Sequence, residues 1–257
     1  MCGLAGMVDF SGVPAGERVD ILHQMTRTLV HRGPDDEGFF VDDCVALGHR
    51  RLSIIDLRTG HQPIGNEDGS VWVACNGEIY NHGDLRDLLT KKGHSFTTRT
   101  DCESIVHAYE EWGTGCLEHL RGMFAFTLWD RRHQRLLLAR DRIGKKPLYY
   151  AQVGSTLIFA SELKALLTFP EFDRALDLEA LSDYLSLLYV PRQKTIFRHA
   201  RKLLPGHYLL ADRSGVRLCS YWDLQFAAAP IAEATAVERL REILHEAVAV
   251  IPVRRVR

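Results

Sequence analysis

Apolar residues follow two different spacings along the chain, and the switch between them outlines the elements. Residues 2–10, Cys-Gly-Leu-Ala-Gly-Met-Val-Asp-Phe, form a short apolar run that reads as a strand. From about 17 to 31, Val19, Leu22, Met25 and Leu29 recur at helical spacing until Gly33-Pro34 ends the helix. A polar turn, His31 to Gly38, leads into strand-like runs at Gly38–Val41, Cys44–Gly48 and Arg51–Ile55; Val71–Cys75 follows and stops at Asn76-Gly77. Helical spacing returns at 82–92, through Leu85, Leu88 and Leu89, and at 102–112, with Asp101 placed as an N-cap. A second block of strands is expected at Phe124–Trp129, Arg135–Arg140, Leu148–Gln152 and Thr156–Ala160, spaced as an antiparallel meander.

Beyond residue 170 the pattern predicts a helix near 177–188, a strand pair at Gly206–Leu210 and Val216–Tyr221, an Ala-rich linker at 227–236 and a last helix at 233–250. That helix aligns Val237, Leu240, Leu244, Ala247 and Ile251 in one stripe, which demands a packing partner. Strands in blocks with helices between them point to an α+β fold with mainly antiparallel sheets. A main domain over 2–225 and a separate segment over 226–257 are expected.

Composition narrows the partners. Thirty-two basic against 33 acidic residues leave a net charge of -1, so no field favours nucleic acid or an anionic membrane. No charged-then-apolar leader and no run of about 18 apolar residues is present, which argues for a cytoplasmic protein. Six cysteines without a CxxC pair suit buried thiols better than a disulfide frame. Twelve histidines show no HExxH spacing, so no metal is expected.

Four positions carry candidate chemistry, each with a plain alternative. Cys2 would become N-terminal if Met1 is removed, joining a thiol to an α-amine whose ordinary pKa of about 7.7–8.0 suits a base near neutrality; it can equally be a buried structural cysteine. Asn76 and Gly77 can present two donors to an oxyanion or simply turn a hairpin. Arg51 can bind a carboxylate or be a solvated strand residue like Arg50. Asp101 can bind an ammonium or cap its helix.

Taken in order, Met1-Cys2-Gly3-Leu4-Ala5-Gly6, His31-Arg32-Gly33-Pro34-Asp35, Arg51-Leu52-Ser53-Ile54, Asn76-Gly77-Glu78-Ile79-Tyr80-Asn81 and Thr100-Asp101-Cys102-Glu103 resemble the class II, N-terminal-nucleophile glutamine amidotransferases, and most closely the glutaminase half of asparagine synthetases. The resemblance continues through Arg121–Phe126, Asp141–Tyr150, Ser161–Lys164, Pro205-Gly206 and Tyr221-Trp222-Asp223.

The resemblance implies a four-layer αββα sandwich of the Ntn-hydrolase type, with a short C-terminal helical extension. It assigns Cys2 as nucleophile, Asn76 and Gly77 as oxyanion hole, and Arg51, Leu52, Ser53, Ile54, Ile55, Asn76, Gly77, Glu78 and Asp101 as contacts for L-glutamine. The implied reaction is hydrolysis of glutamine to glutamate and ammonia through a Cys2 thioester. It needs no cofactor; ATP and Mg belong to a synthetase domain, whose Ser-Gly-Gly-x-Asp-Ser loop does not occur in these 257 residues. Residues 226–257 are then expected to be a linker and the first helix of a truncated synthetase domain. A synthetase domain or subunit is the expected partner on that helix, and a homodimer is allowed. Two other readings stay open: an amidotransferase for a sugar or a polysaccharide or peptide precursor, and a glutamine-binding module that is inactive without its synthetase.

Overall fold

The computed structural model describes residues 1–11, 15–53, 59–226 and 230–250. The chain begins with β1 (Gly3–Val8), α1 (Ala15–Arg27), β2 (Asp36–Val41), β3 (Val45–Arg51), β4 (Ile64–Gly65) and β5 (Val71–Ile79). Three helices follow, α2 (His82–Lys91), α3 (Glu103–Trp112) and the single turn α4 (Cys116–His119), then β6 (Gly122–Asp130), β7 (Arg135–Arg140), β8 (Tyr149–Val153) and β9 (Thr156–Ala160). The remainder is α5 (Leu163–Leu166), α6 (Leu178–Leu187), β10 (Ala200–Lys202), β11 (His207–Asp212), β12 (Gly215–Ser220) and α7 (Glu233–Val250).

The strands form two six-stranded sheets, β10-β8-β9-β1-β3-β2 and β12-β11-β7-β6-β5-β4. Every pairing among the described strands is antiparallel. Side-chain alternation then builds three apolar layers. Leu4 and Val8 of β1 meet Trp129, Leu136 and Leu138 between the sheets; Ala5 and Met7 turn the other way, onto Leu22, Met25 and Leu29 of α1. On the far side of the second sheet, Val73, Cys75 and Ile79 of β5 pack on Leu85, Leu89, Ile105 and Val106 of α2 and α3. Helix, sheet, sheet and helix are the four layers expected.

β1 lies in the interior of its sheet, paired with β3 on one edge and β9 on the other, and all six of its residues are buried. The N-terminus therefore emerges from the middle of the molecule. β7 and β9 have their expected limits, but the expected meander is divided: β6 and β7 belong to the second sheet, β8 and β9 to the first. Residues 141–148 make the crossing, because Arg140 spends its guanidinium on the carbonyls of Lys146, Gly144 and Leu203 at 2.6–2.7 Å. Tyr221 Oη also donates to the Arg140 carbonyl at 2.7 Å.

The expected strand Arg51–Ile55 is corrected. β3 ends at Arg51, because the Leu52 N–H turns to Cys2 Sγ (3.4 Å) and the Ser53 N–H to the Asp35 carboxylate (2.8 Å), which takes both out of the ladder. Ile54 and Ile55 lie outside the described residues. At the other end of the chain, Val237, Leu240, Ile243, Leu244 and Val248 of α7 are all exposed, and Ile251 is outside the described residues. Among the described residues no helix is long and apolar enough to cross a membrane.

Candidate active site

Strand parity brings the candidate residues to one end of the layer between the sheets. Leu4 and Val8 face that layer, so Cys2, two residues before Leu4, is on the same side of β1. Val45 and Leu47 put His49 and Arg51 there by the same rule, and on β5 the inward positions run Trp72, Ala74, Asn76 and Glu78. A cavity of about 170 Å³ results, lined by Met1, Cys2, Arg51, Leu52, Asn76, Gly77, Glu78 and Asp101 among others. It is smaller than the roughly 300 Å³ at which drug-sized pockets begin. Ser53 is half-buried beside it and is not among the lining residues.

Cys2 is gripped by its neighbours. The Leu52 N–H donates to Sγ, and Arg32 Nε donates to the Cys2 carbonyl at 2.9 Å. Arg32 is braced in turn by Glu162, 2.8 Å from Nη1. Burial opposes ionisation of Glu162, yet hydrogen bonds from Arg32, His31 and Lys164 bring its carboxyl down to about 2. The neighbouring Ser161 Oγ accepts from the Leu4 N–H at 3.0 Å. The His31-Arg32-Gly33-Pro34-Asp35 and Ser161-Glu162-Leu163-Lys164 motifs thus form a clamp on the start of β1.

Burial pushes the Cys2 thiol up, more than the Leu52 N–H lowers it. The sulfur is therefore held as a thiol and needs a base to react as thiolate. The α-amine at this end, here that of Met1, is lowered chiefly by burial, with Arg32 and Lys146 acting in the same sense.

Asn76-Gly77 is not a hairpin turn. Both residues lie inside β5, paired with Ala125 and Phe124 of β6. Glycine is required at position 77 because a Cβ would sit 2.2 Å from the Met123 carbonyl oxygen. The Asn76 side chain is 1 % exposed, and neither its Oδ1 nor its Nδ2 has a hydrogen-bond partner. Such a group costs stability unless something fills the space before it.

Asp101 does not cap α3. The cap position is Cys102, without a side-chain bond, while the buried Asp101 carboxylate accepts from the Ile79 N–H at 2.8 Å. Arg51 is buried rather than solvated. Five further lining residues carried no assignment in the sequence: Gln62, Thr100, Cys102, Met123 and Lys146. Gln62 accepts from the Cys75 N–H at 2.6 Å and fixes β5 from outside the ladder. Lys146 is delivered by the crossing segment, where Asp141 accepts from the N–H groups of Ile143, Lys145 and Lys146 at 2.9–3.2 Å. Its ammonium lies 3.5 Å from the Met1 sulfur. Only the motif around 141–150 hinted at this lysine.

A family described as glutamine amidotransferase domain matches residues 1–222. The chain is 37% identical over 252 residues to asparagine synthetase [glutamine-hydrolyzing] 1 of Bacillus subtilis, covering 96% of this chain and 39% of that protein. It is 42% identical over 233 residues to asparagine synthetase [glutamine-hydrolyzing] 2 of the same organism, covering 88% and 31%. Thus the chain spans between about a third and two fifths of the length of these relatives. Among solved structures, glutamine phosphoribosylpyrophosphate amidotransferase from B. subtilis superposes with a TM-score of 0.61 at 20% identity, over 86% of this chain and 49% of that one. At that identity the likeness speaks for the fold.

Proposed function

The chain belongs to the glutamine amidotransferase domain family, and from that premise we propose that it hydrolyses glutamine to glutamate and ammonia at the N-terminal cavity, with Cys2 as nucleophile. The observation that carries the reading is the Asn76 amide, buried and without a partner, on the wall of the cavity that also holds the Cys2 sulfur.

Removal of Met1 would free the Cys2 amine among the groups that lower the present terminus, so that a neutral amine is available near pH 7. Through a water it takes the thiol proton, and sulfur attacks the side-chain amide carbon of glutamine. Asn76 Nδ2 and the Gly77 N–H receive the oxyanion. The carbon–nitrogen bond then breaks, the amine returns the proton to the leaving ammonia, and water cleaves the thioester. Arg51 holds the α-carboxylate and Asp101 the α-ammonium, with Leu52, Ser53 and Glu78 completing the contacts; Ile54 and Ile55 keep the role that the resemblance gave them.

The ammonia goes to a synthetase body that uses ATP and Mg to amidate aspartate or a similar carboxylate. We read 2–225 as the glutaminase unit and 226–257 as the link to that body. Support comes from the asparagine synthetases among the relatives and from apolar surface left bare on α7 and on α6, where Leu178, Leu185 and Leu187 are exposed.

The test is glutamate release by chain shown by intact mass to lack Met1. Processed wild type should turn over glutamine and Cys2→Ala should not, with both equally folded. Equal release from the two proteins at saturating glutamine would sink the assignment.

A further inference from the structure

Away from the cavity, α3 gathers side chains that glutamine hydrolysis does not use. His107 and Glu110, three residues apart on one helical face, meet His94 from the segment between α2 and α3. His107 Nδ1 lies 2.8 Å, and His94 Nδ1 3.5 Å, from the same Glu110 oxygen, Oε2. The three ligand atoms fall within 4.8 Å of one another. We propose that His94, His107 and Glu110 form a binding site for a divalent transition-metal ion of the zinc class.

Two imidazole nitrogens and one carboxylate oxygen are a donor set that zinc accepts, with water in the fourth position. The surroundings are arranged as a metal site requires. In such sites the second nitrogen of each histidine usually donates to a carboxylate, a backbone carbonyl or a water. Here His94 Nε2 faces Glu111 Oε2 at 3.4 Å and His107 Nε2 faces Glu103 Oε1 at 3.9 Å. Glu103 is fixed by four hydrogen bonds of 2.6–2.9 Å from the N–H and hydroxyl groups of Thr97 and Thr98. Asn66 Nδ2 donates to Oε1 of Glu110 at 2.7 Å, which leaves Oε2 for the histidines.

The buried His107 supplies the second observation. Its Nε2 has no hydrogen-bond partner while its Nδ1 is engaged with Glu110. A cation on Nδ1 would place the ring's single proton on Nε2, toward Glu103, and a small rotation of Glu110 would set the three donors at about 2.0–2.2 Å from the ion. Glu103, Glu110 and Glu111 provide negative charge, offset only in part by Lys92 on Glu111 at 2.6 Å. The ion would fasten the segment before Asp101 to the body of α3. Two ligands come from one helix and the third from a connection, so no regular spacing announces the site.

The experiment uses untagged full chain, stripped with a chelator and titrated with Zn2+ by calorimetry and with Co2+ by absorption. One equivalent should bind, with visible cobalt bands but no near-ultraviolet thiolate charge transfer. His94→Ala should abolish that equivalent, and Glu111→Gln should weaken it about ten- to a hundredfold; both residues reach the surface, so circular dichroism should report an intact fold. Wild type that binds no better than His94→Ala would overturn the proposal and leave a network satisfied by protons alone. So would a thiolate-type cobalt spectrum that persists in His94→Ala, which would move the ion to the cysteines.

Discussion

The cavity at Cys2 and the cluster around His107 flank the same helix and treat buried polar groups in opposite ways. Asp101 stands just before α3, while His107 and Glu110 belong to its later turns. In the cavity the Asn76 amide has no partner; in the cluster one carboxylate, Glu103, collects four donors. Two buried histidines register the contrast. Burial brings His49, beside the cavity, down to about 4, against the Cys75 carbonyl at 3.0 Å and the weaker pull of Asp36. Burial acts on His107 too, but Glu103 and Glu110 outweigh it and raise that imidazole. Around Glu103 the fold supplies donors to both carboxylate oxygens, whereas at Asn76 it leaves both side-chain polar atoms without a partner.

The contrast breaks most visibly at Asn76. Asn76→Ala should lower glutamine turnover about a hundred- to a thousandfold, about 2.7–4 kcal/mol of transition-state stabilisation. It should leave the unfolding midpoint almost unchanged, because the deleted amide has no partner to lose. A large drop in stability with turnover intact would reverse the roles of the two regions. Next comes Asp101→Asn, which still offers an oxygen to the Ile79 N–H. Glutamine should bind about 1.5–3 kcal/mol more weakly by calorimetry while the fold is kept. Equal affinity would return Asp101 to a purely structural post.

The last effect is in pH. The folded pKa of His49 lies below that of the unfolded chain, so between about pH 6.5 and 4 the unfolded state takes up a proton that the folded state refuses. Stability contributed by neutral His49 is complete above about 6.5 and is lost as pH falls toward 4. Asp9 and Glu162, both brought to about 2 by hydrogen bonds that overcome burial, release their share mainly at lower pH. Denaturant titrations across that window should show the slope in wild type and a flatter line in His49→Gln; parallel lines would remove His49 as the cause.

Much of this was legible in the sequence, because period-two and period-3.6 patterns fix which face a residue takes. β7 and β9 have the limits that their apolar runs give, and Cys2, Arg51 and Asn76 share a layer for the same reason. Asn76-Gly77 was ambiguous because a local rule favours a turn, whereas the need for glycine comes from β6 pressing against β5 sideways. Asp101 resembled a cap because its partner, the Ile79 N–H, is 22 residues away. The divided meander depended on Arg140 binding Leu203, 63 residues on, which no spacing rule reports. Lys146 entered the cavity through the same crossing.

The central place of β1 also bears on how the enzyme comes into being. The first strand cannot complete its ladder until β9 exists, and its first clamp, Leu4 on Ser161, joins residues 157 apart. At roughly 5–20 residues per second of synthesis, the amino end waits on the order of ten to thirty seconds for that partner. Contacts of such sequence separation also slow folding itself. A nascent chain interrupted before β9 would carry Cys2 without a cavity around it. Assembly of the Cys2 cavity is thereby tied to translation having passed residue 161, a dependence built into the order of the strands.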